Sequence, residues 1–176
     1  MSTRQRTELI SRLNALLTRS VYSPLAYFSE AEPYAVEADR PLVELLESLQ
    51  AEDDRYALLL AGVLESLDEV PEVGAFPLWY RDLNYLSVPY LAKVVREQLE
   101  SDVARADAIL GLLTDEPPAV RAAIESLRAD RVDQVRALEQ PIAEALAREA
   151  ETYRAEAAEA KATRDAIKAE AKAKAD

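Results

Sequence analysis

The sequence predicts an all-α protein: a four-helix bundle with one long crossover between its second and third helices, followed by a C-terminal helical extension. Three observations lead there. Glycine is scarce, at 3 of 176 residues, while Ala, Leu, Glu and Arg abound, and these side chains lose little freedom in a helix. Apolar residues recur at spacings of three and four, the mark of a helix that buries one face. Among the links between these stripes, only one is long enough to run the length of a helix.

The first stripe contains Leu9, Leu13, Leu16, Leu17, Ser20 and Pro24, with Ile10, Val21 and Phe28 beside it, and Ser2 or Thr3 as its cap. Pro24 lacks an N–H and crowds the preceding turn, so a kink is expected in its second half. The second runs Leu42, Leu46, Leu49, Asp53, Tyr56, Leu60, Val63 and Leu67, with Asp39 and Pro41 as a start signal. The segment from Asp68 to Leu86 breaks the period with two prolines, a glycine and the single tryptophan, and reads as the long crossover. The third stripe is Leu91, Val95, Leu99, Val103, Ala106, Leu110 and Leu113, opened by Ser87 and Pro89. A tight turn from Thr114 to Pro118 leads to the fourth: Val120, Ile124, Leu127, Arg131, Gln134 and Leu138. Pro141 is expected to end or kink that helix. Residues 1–153 form the bundle in this reading. Residues 154–176 form an Ala/Lys/Glu-rich, solvated helical tail with only Ile167 as a large apolar residue.

Composition excludes several function classes. There are no cysteines and no histidines, which removes disulfides, thiolate catalysis, the commonest general base and the commonest nitrogen ligand of transition metals. The net charge of −12 disfavours nucleic acid and anionic membranes as partners. No stretch approaches the roughly 20 apolar residues that span a bilayer, and the N-terminus does not read as a secretory signal, so a cytoplasmic protein is expected. There is no phosphate-binding glycine loop and no nucleophile elbow.

The informative residues are polar ones inside apolar stripes. Ser20 interrupts the first, Asp53 and Tyr56 the second, and Arg131 and Gln134 the fourth, while Arg96 flanks the third. All lie near the middle of their helices, so a single buried polar cluster is expected at one level of the bundle. Other concentrations are weaker. Glu30, Glu32 and Glu37 with Tyr27 and Tyr34 form a charged loop that a carboxylate-only metal site could use. Glu97 and Glu100 read as surface positions. Trp79, Tyr80, Tyr85, Tyr90 and Arg81 are residue types found in interface hot spots, although a crossover anchored on its own bundle explains them as well.

At these positions the chain resembles the ferritin-like superfamily, bacterioferritin in particular. The stretch from Leu16 to Phe28, LLTRSVYSPLAYF, is similar to the family's first-helix motif, with Ser20 at the ligand position. The resemblance then sets Asp53 and Tyr56 against the Glu and His of the second helix, Arg96 against the Glu of the third, and Arg131 and Gln134 against the Glu and His of the fourth. One ligand position of six keeps a carboxylate and two become cations. The resemblance therefore implies the fold without the chemistry: no catalytic residues, no cofactor and no metal. In their place it implies an ion pair from Asp53 to Arg131 or Arg96. The function expected is a non-catalytic structural or protein-interaction module, with a protein partner or a homo-oligomer. The alternatives are an atypical carboxylate-based iron or manganese protein, acting as oxidase or store, and a small-ligand binder using the former metal pocket.

Overall fold

The computed structural model describes residues 2–31, 35–78, 80, 83, 86–114 and 116–173, with the backbone alone at 27, 29–31 and 170–173. Among these residues there is no strand. Helix α1 spans Thr3–Val21, α2 Pro24–Ala31, α3 Arg40–Ser66, α4 Val88–Leu110 and α5 Pro118–Ala173. By compactness the chain divides into two units, residues 1–142 and 143–176, ahead of the compositional change after Tyr153.

Each start has a local cause. The Ser2 hydroxyl accepts from the Gln5 amide while the Gln5 side chain accepts from the Ser2 amide, at 3.3 and 2.9 Å. This reciprocal box satisfies two of the donors that every helix start leaves open. At Pro24 the chain breaks instead of kinking: α1 stops at Val21 and a new helix begins. The reason is that Pro24 sits at a first helical position, where its missing N–H costs nothing, behind Ser23, whose hydroxyl accepts from the Ala26 amide at 3.2 Å. A turn of 3-10 helix, Glu37–Asp39, leads into α3, which carries Pro41 in its first turn. At its end Asp68 adopts φ 57°, and the Glu69 amide donates back to the Leu64 carbonyl at 3.1 Å. The left-handed residue that closes a helix is usually glycine; here aspartate, which tolerates that conformation better than most, takes the position.

The unit 1–142 is built from α1 with α2, α3, α4 and the first part of α5. Its core joins Leu9, Leu13, Leu16 and Leu17 to Tyr56, Leu60 and Leu64, to Ala106 and Ile109, and to Val120, Ile124 and Leu127. Paired side chains set the directions. Arg6 near the start of α1 reaches Leu67 and Glu69 past the end of α3. Arg128 of α5 reaches Asp107 of α4, and Arg131 of α5 reaches Asp53 of α3. Hence α1 and α3 form one antiparallel hairpin and α4 and α5 another. The crossover makes α3 and α4 run the same way.

That crossover lies along α1 and is bonded to it in sequence order. Glu72 donates its amide to the Asn14 side chain and Gly74 its amide to the Thr18 hydroxyl, both at 2.9 Å. The Tyr80 hydroxyl then donates to the Tyr22 carbonyl at 2.5 Å. Phe76 is wedged edge-on between the rings of Tyr22 and Tyr80, 5.5 Å from each. Gly74 permits this approach, since an added Cβ would stand 3.2 Å from the Thr18 methyl. Trp79, Arg81 and Tyr85 lie outside the described residues. Tyr90 is exposed at the start of α4.

Two features of the later helices correct the expectations. The buried face of α4 keeps Leu91, Val95, Leu99 and Ala106 of the expected stripe but passes through Ala92, Asp102 and Ile109 in place of Val103 and Leu110, which are only half-buried. Pro141 does not end the fourth helix, which continues through it to Ala173. The carbonyl it leaves without a helical donor belongs to Ala137, an exposed residue, so water can satisfy it. Within the unit 143–176, every residue from Glu151 to Ala169 is exposed.

Tyr80→Phe tests the pinning of the crossover. The ring stays buried, but the Tyr22 carbonyl loses its donor, so stability should fall by about 1–2 kcal/mol. Amides from Glu72 to Gly74 should also exchange faster with deuterium. Denaturant titration and hydrogen exchange measure both. Unchanged exchange along this segment would mean that the hydroxyl does not hold it.

Candidate functional site

The centre of the bundle is charged. Asp53 on α3 and Arg131 on α5 are 2% and 1% exposed. One terminal nitrogen of Arg131 donates to Asp53 Oδ1, and the other donates to Gln134 Oε1 at 2.8 Å. The guanidinium lies over the Tyr56 ring, 4.6 Å from its centroid, where the ring's negative face stabilises the cation. The Ser23 side chain, at the break between α1 and α2, acts on the Asp53 carboxyl as well and favours its charged form. Asp53 and Tyr56, like Arg131 and Gln134, are three residues apart, so each helix presents both members of its pair on one face.

A second ion pair lies close by, its carboxylate buried and its guanidinium a quarter exposed. Asp102 of α4, 1% exposed, accepts from Arg19 Nε of α1 at 2.5 Å. Arg19 also donates to the Gln98 carbonyl, and the Gln98 amide donates back to the Arg19 carbonyl, at 3.2 and 3.3 Å. The Tyr80 hydroxyl, held near Gln98 at 3.4 Å, closes this group. Its burial lifts the phenol to about 12. The two pairs feel one another: the Asp102 charge raises the Asp53 carboxyl, and the Arg131 charge lowers that of Asp102. In both carboxyls burial is the largest influence and wins over the neighbouring guanidinium, so both stand above their ordinary range. The four bundle helices thus contribute one charge each, two of either sign.

On the α3–α5 face the network reaches the surface. The Tyr56 hydroxyl donates to Asp130 at 2.5 Å, and Arg55 donates to the same carboxylate at 3.2 Å and to Glu52 at 2.6 Å. Burial, and then the hydrogen bond to Asp130, hold the Tyr56 phenol well above its ordinary value. An open groove on this face is lined by Ser48, Leu49, Glu52, Arg55, Asp130 and Gln134, among others; neither Tyr56 nor Arg131 lines it.

The structure therefore brings Asp53, Tyr56, Arg131 and Gln134 into one cluster. Ser20 is buried, 3% exposed, and its hydroxyl has no partner among the described residues. Arg96 is not a member. Its side chain is 30% exposed and faces Glu100 at 3.5 Å; Leu91, Val95 and Leu99 hold the buried face at its level, as expected, and Arg96 lies beside that face. Asp102 and Arg19 are the members that sequence reasoning missed. The signal for Asp102 was present, since Leu99, Asp102, Ala106 and Ile109 follow the three-four spacing. Of the weaker candidates, Glu37 is exposed beside Arg40, and Glu97 and Glu100 are surface partners of Lys93 and Arg96. The side chains of Tyr27 and Glu30, and residues Glu32 and Tyr34, lie outside the described residues.

No protein-family model matches the chain, and no curated protein matches it. A search of solved structures finds a dodecameric thioferritin, the bacterioferritin-related protein from Bacteroides fragilis, with a TM-score of 0.66 over 84% of this chain and 90% of that chain, at 18% identity. The chain has the ferritin-like fold. That fold commonly carries a di-iron centre between its helices, which needs several free carboxylates and nitrogen donors. The residues present do not fit one. Asp53 and Asp102 are each engaged by an arginine, and a guanidinium that cannot deprotonate lies at the centre. Among the described residues no three His, Cys, Asp or Glu side chains are grouped so as to hold a metal.

Removing one partner of a buried pair strands the other charge. Asp53→Ala and Arg131→Ala should each cost about 3–5 kcal/mol, and the double variant should cost less than their sum. Denaturation of all four proteins measures the coupling, and additive costs would show that the pair does not act as a pair. Asp102 supplies a test in pH. Its folded value is raised, so its contribution is full below the ordinary carboxylate value of 3.8 and is lost as pH rises through the folded value. The stability of the wild type relative to Asp102→Asn should therefore decline as pH rises from that acid end, and a growing advantage would reverse the sign.

Proposed function

We propose that this chain is a non-catalytic ferritin-like bundle that works as a structural or protein-interaction module and associates with itself. In this reading the family's di-iron centre has been exchanged for a neutral set of ion pairs. One observation carries it: Arg131, fully buried, lies between the helices bonded to Asp53 and Gln134. A fixed cation there repels a metal ion and occupies the carboxylate that would bind it. Ser20, Tyr56 and Gln134 supply neutral oxygen and nitrogen, too little negative charge to balance two metal cations.

Self-association is supported by the dodecameric state of the thioferritin that shares the fold. The acidic surface, at net −12, favours protein partners over nucleic acid. Among the described residues no helix is long and apolar enough to cross a membrane, and the reading places the protein in the cytoplasm. The groove beside the cluster does not favour a small-ligand pocket, since of the four cluster residues only Gln134 lines it.

Elemental analysis of protein purified without added metal tests this directly. Iron, manganese and zinc should each be far below one ion per chain, and added ferrous iron should oxidise no faster than in buffer. Stoichiometric iron or manganese, or oxidation above the buffer rate, would establish an atypical carboxylate centre instead.

A further inference from the structure

The unit 143–176 is helical to Ala173 and exposed from Glu151 to Ala169, yet its sequence is not featureless. Leu146, Tyr153, Ala160 and Ile167 recur every seventh residue, with Ala150 and Ala157 four positions after the first two. This places a narrow apolar seam along one side of the helix. Tyr153 and Ile167 on it are 69% and 63% exposed. A strict seven-residue repeat keeps such a seam facing a partner helix along its whole length. Alanine at the intervening positions lets two backbones approach closely. A long, Ala-rich helix without a partner is marginal in water, and burial of this seam would stabilise it.

Charge says which helix fits. From Ala143 to Glu159 five glutamates stand against two arginines; from Ala160 to Asp176 five cations stand against three acids. The segment is bipolar, acidic first and basic after. A second copy laid parallel and in register sets like charges level. Laid antiparallel about the centre of the apolar seam, between Glu156 and Ala157, it sets no like charges level. Leu146 then comes level with Ile167, Tyr153 with Ala160, Glu149 with Arg164, and Arg154 with Glu159. Large residues meet small ones or one another along the seam, and each named charge meets its opposite. We infer that this segment is a dimerisation helix that pairs antiparallel, on a two-fold axis, with the same segment of a second copy. The inference extends the self-association reading by naming a surface for it.

The chain has no cysteine, so introduced thiols report alone. In the antiparallel register Ala150 of one copy is level with Thr163 of the other, whereas Ala150 and its own counterpart are roughly 20 Å apart at 1.5 Å per residue. The full-length Ala150→Cys/Thr163→Cys variant should give a covalent dimer with a short bifunctional maleimide at low concentration. Each single variant should give none. High salt should reduce the yield severalfold, because the pairing is steered by exposed charges. Tyr153→Glu/Ile167→Glu, at exposed positions, should lower the mass of the assembly in sedimentation and abolish the cross-link. Dimers from the single variants would show a parallel pair and overturn the inference. An unchanged assembly with no cross-link would also overturn it while leaving self-association through the bundle intact. A wild type that sediments as a monomer at all concentrations would remove both.

Discussion

The buried cation of Arg131 constrains everything around it. Moving a guanidinium into a protein interior costs several kcal/mol unless each of its faces and donors is met. Asp53 meets it as a counter-ion, Gln134 as a neutral acceptor and Tyr56 as a π face. Only its Nε is left without an acceptor among the described residues. Asp53 in turn needs Ser23, and Ser23 is placed by the interruption of the first helix. The break at Pro24 therefore belongs to the same arrangement: it turns a hydroxyl that caps α2 toward a carboxylate on α3. The start of α2, α3 and α5 thus meet around one charge.

Much of the fold was legible because apolar period and link length speak directly about which face is buried. The long crossover was recognisable from its prolines and aromatics alone. Asp53, Tyr56, Arg131 and Gln134 stood out as polar residues where periodicity demanded apolar ones. Asp102 did not, because its neighbour Val103 offers an equally regular path through α4 with a better-suited side chain, and a hydrophobicity argument prefers valine. Arg19 was hidden differently. It stands beside the buried stripe of α1, and its alkyl stem lets the charged end reach Asp102 while a quarter of the side chain remains in water. Sequence period reports where Cβ atoms point, and long side chains escape it. Arg96 flanks the buried face and carries its charge outward to Glu100.

Prolines were the other source of difference. At Pro24 the neighbouring serine converts an expected kink into a fresh start. At Pro141 the orphaned carbonyl faces solvent, so the helix passes through. In both places the ring has the same local effect on hydrogen bonding, and the surroundings decide the outcome. The division between the compact units nonetheless falls at Ile142/Ala143, beside the one position in α5 where the ladder of backbone bonds is interrupted.

The distribution of the four central charges has a consequence for assembly of the bundle itself. The α1–α3 hairpin holds Arg19 and Asp53, and the α4–α5 hairpin holds Asp102 and Arg131. Both salt bridges run between the hairpins and neither within one. Each half therefore offers the other one cation and one anion, and docking is read like a two-pin key. Sliding one hairpin by a single helical turn, about 5.4 Å, would part both pairs at once and leave Asp53, Asp102 and Arg131 in the interior without their counter-ions. Neighbouring registers that an all-leucine interface would tolerate are thereby penalised in this chain.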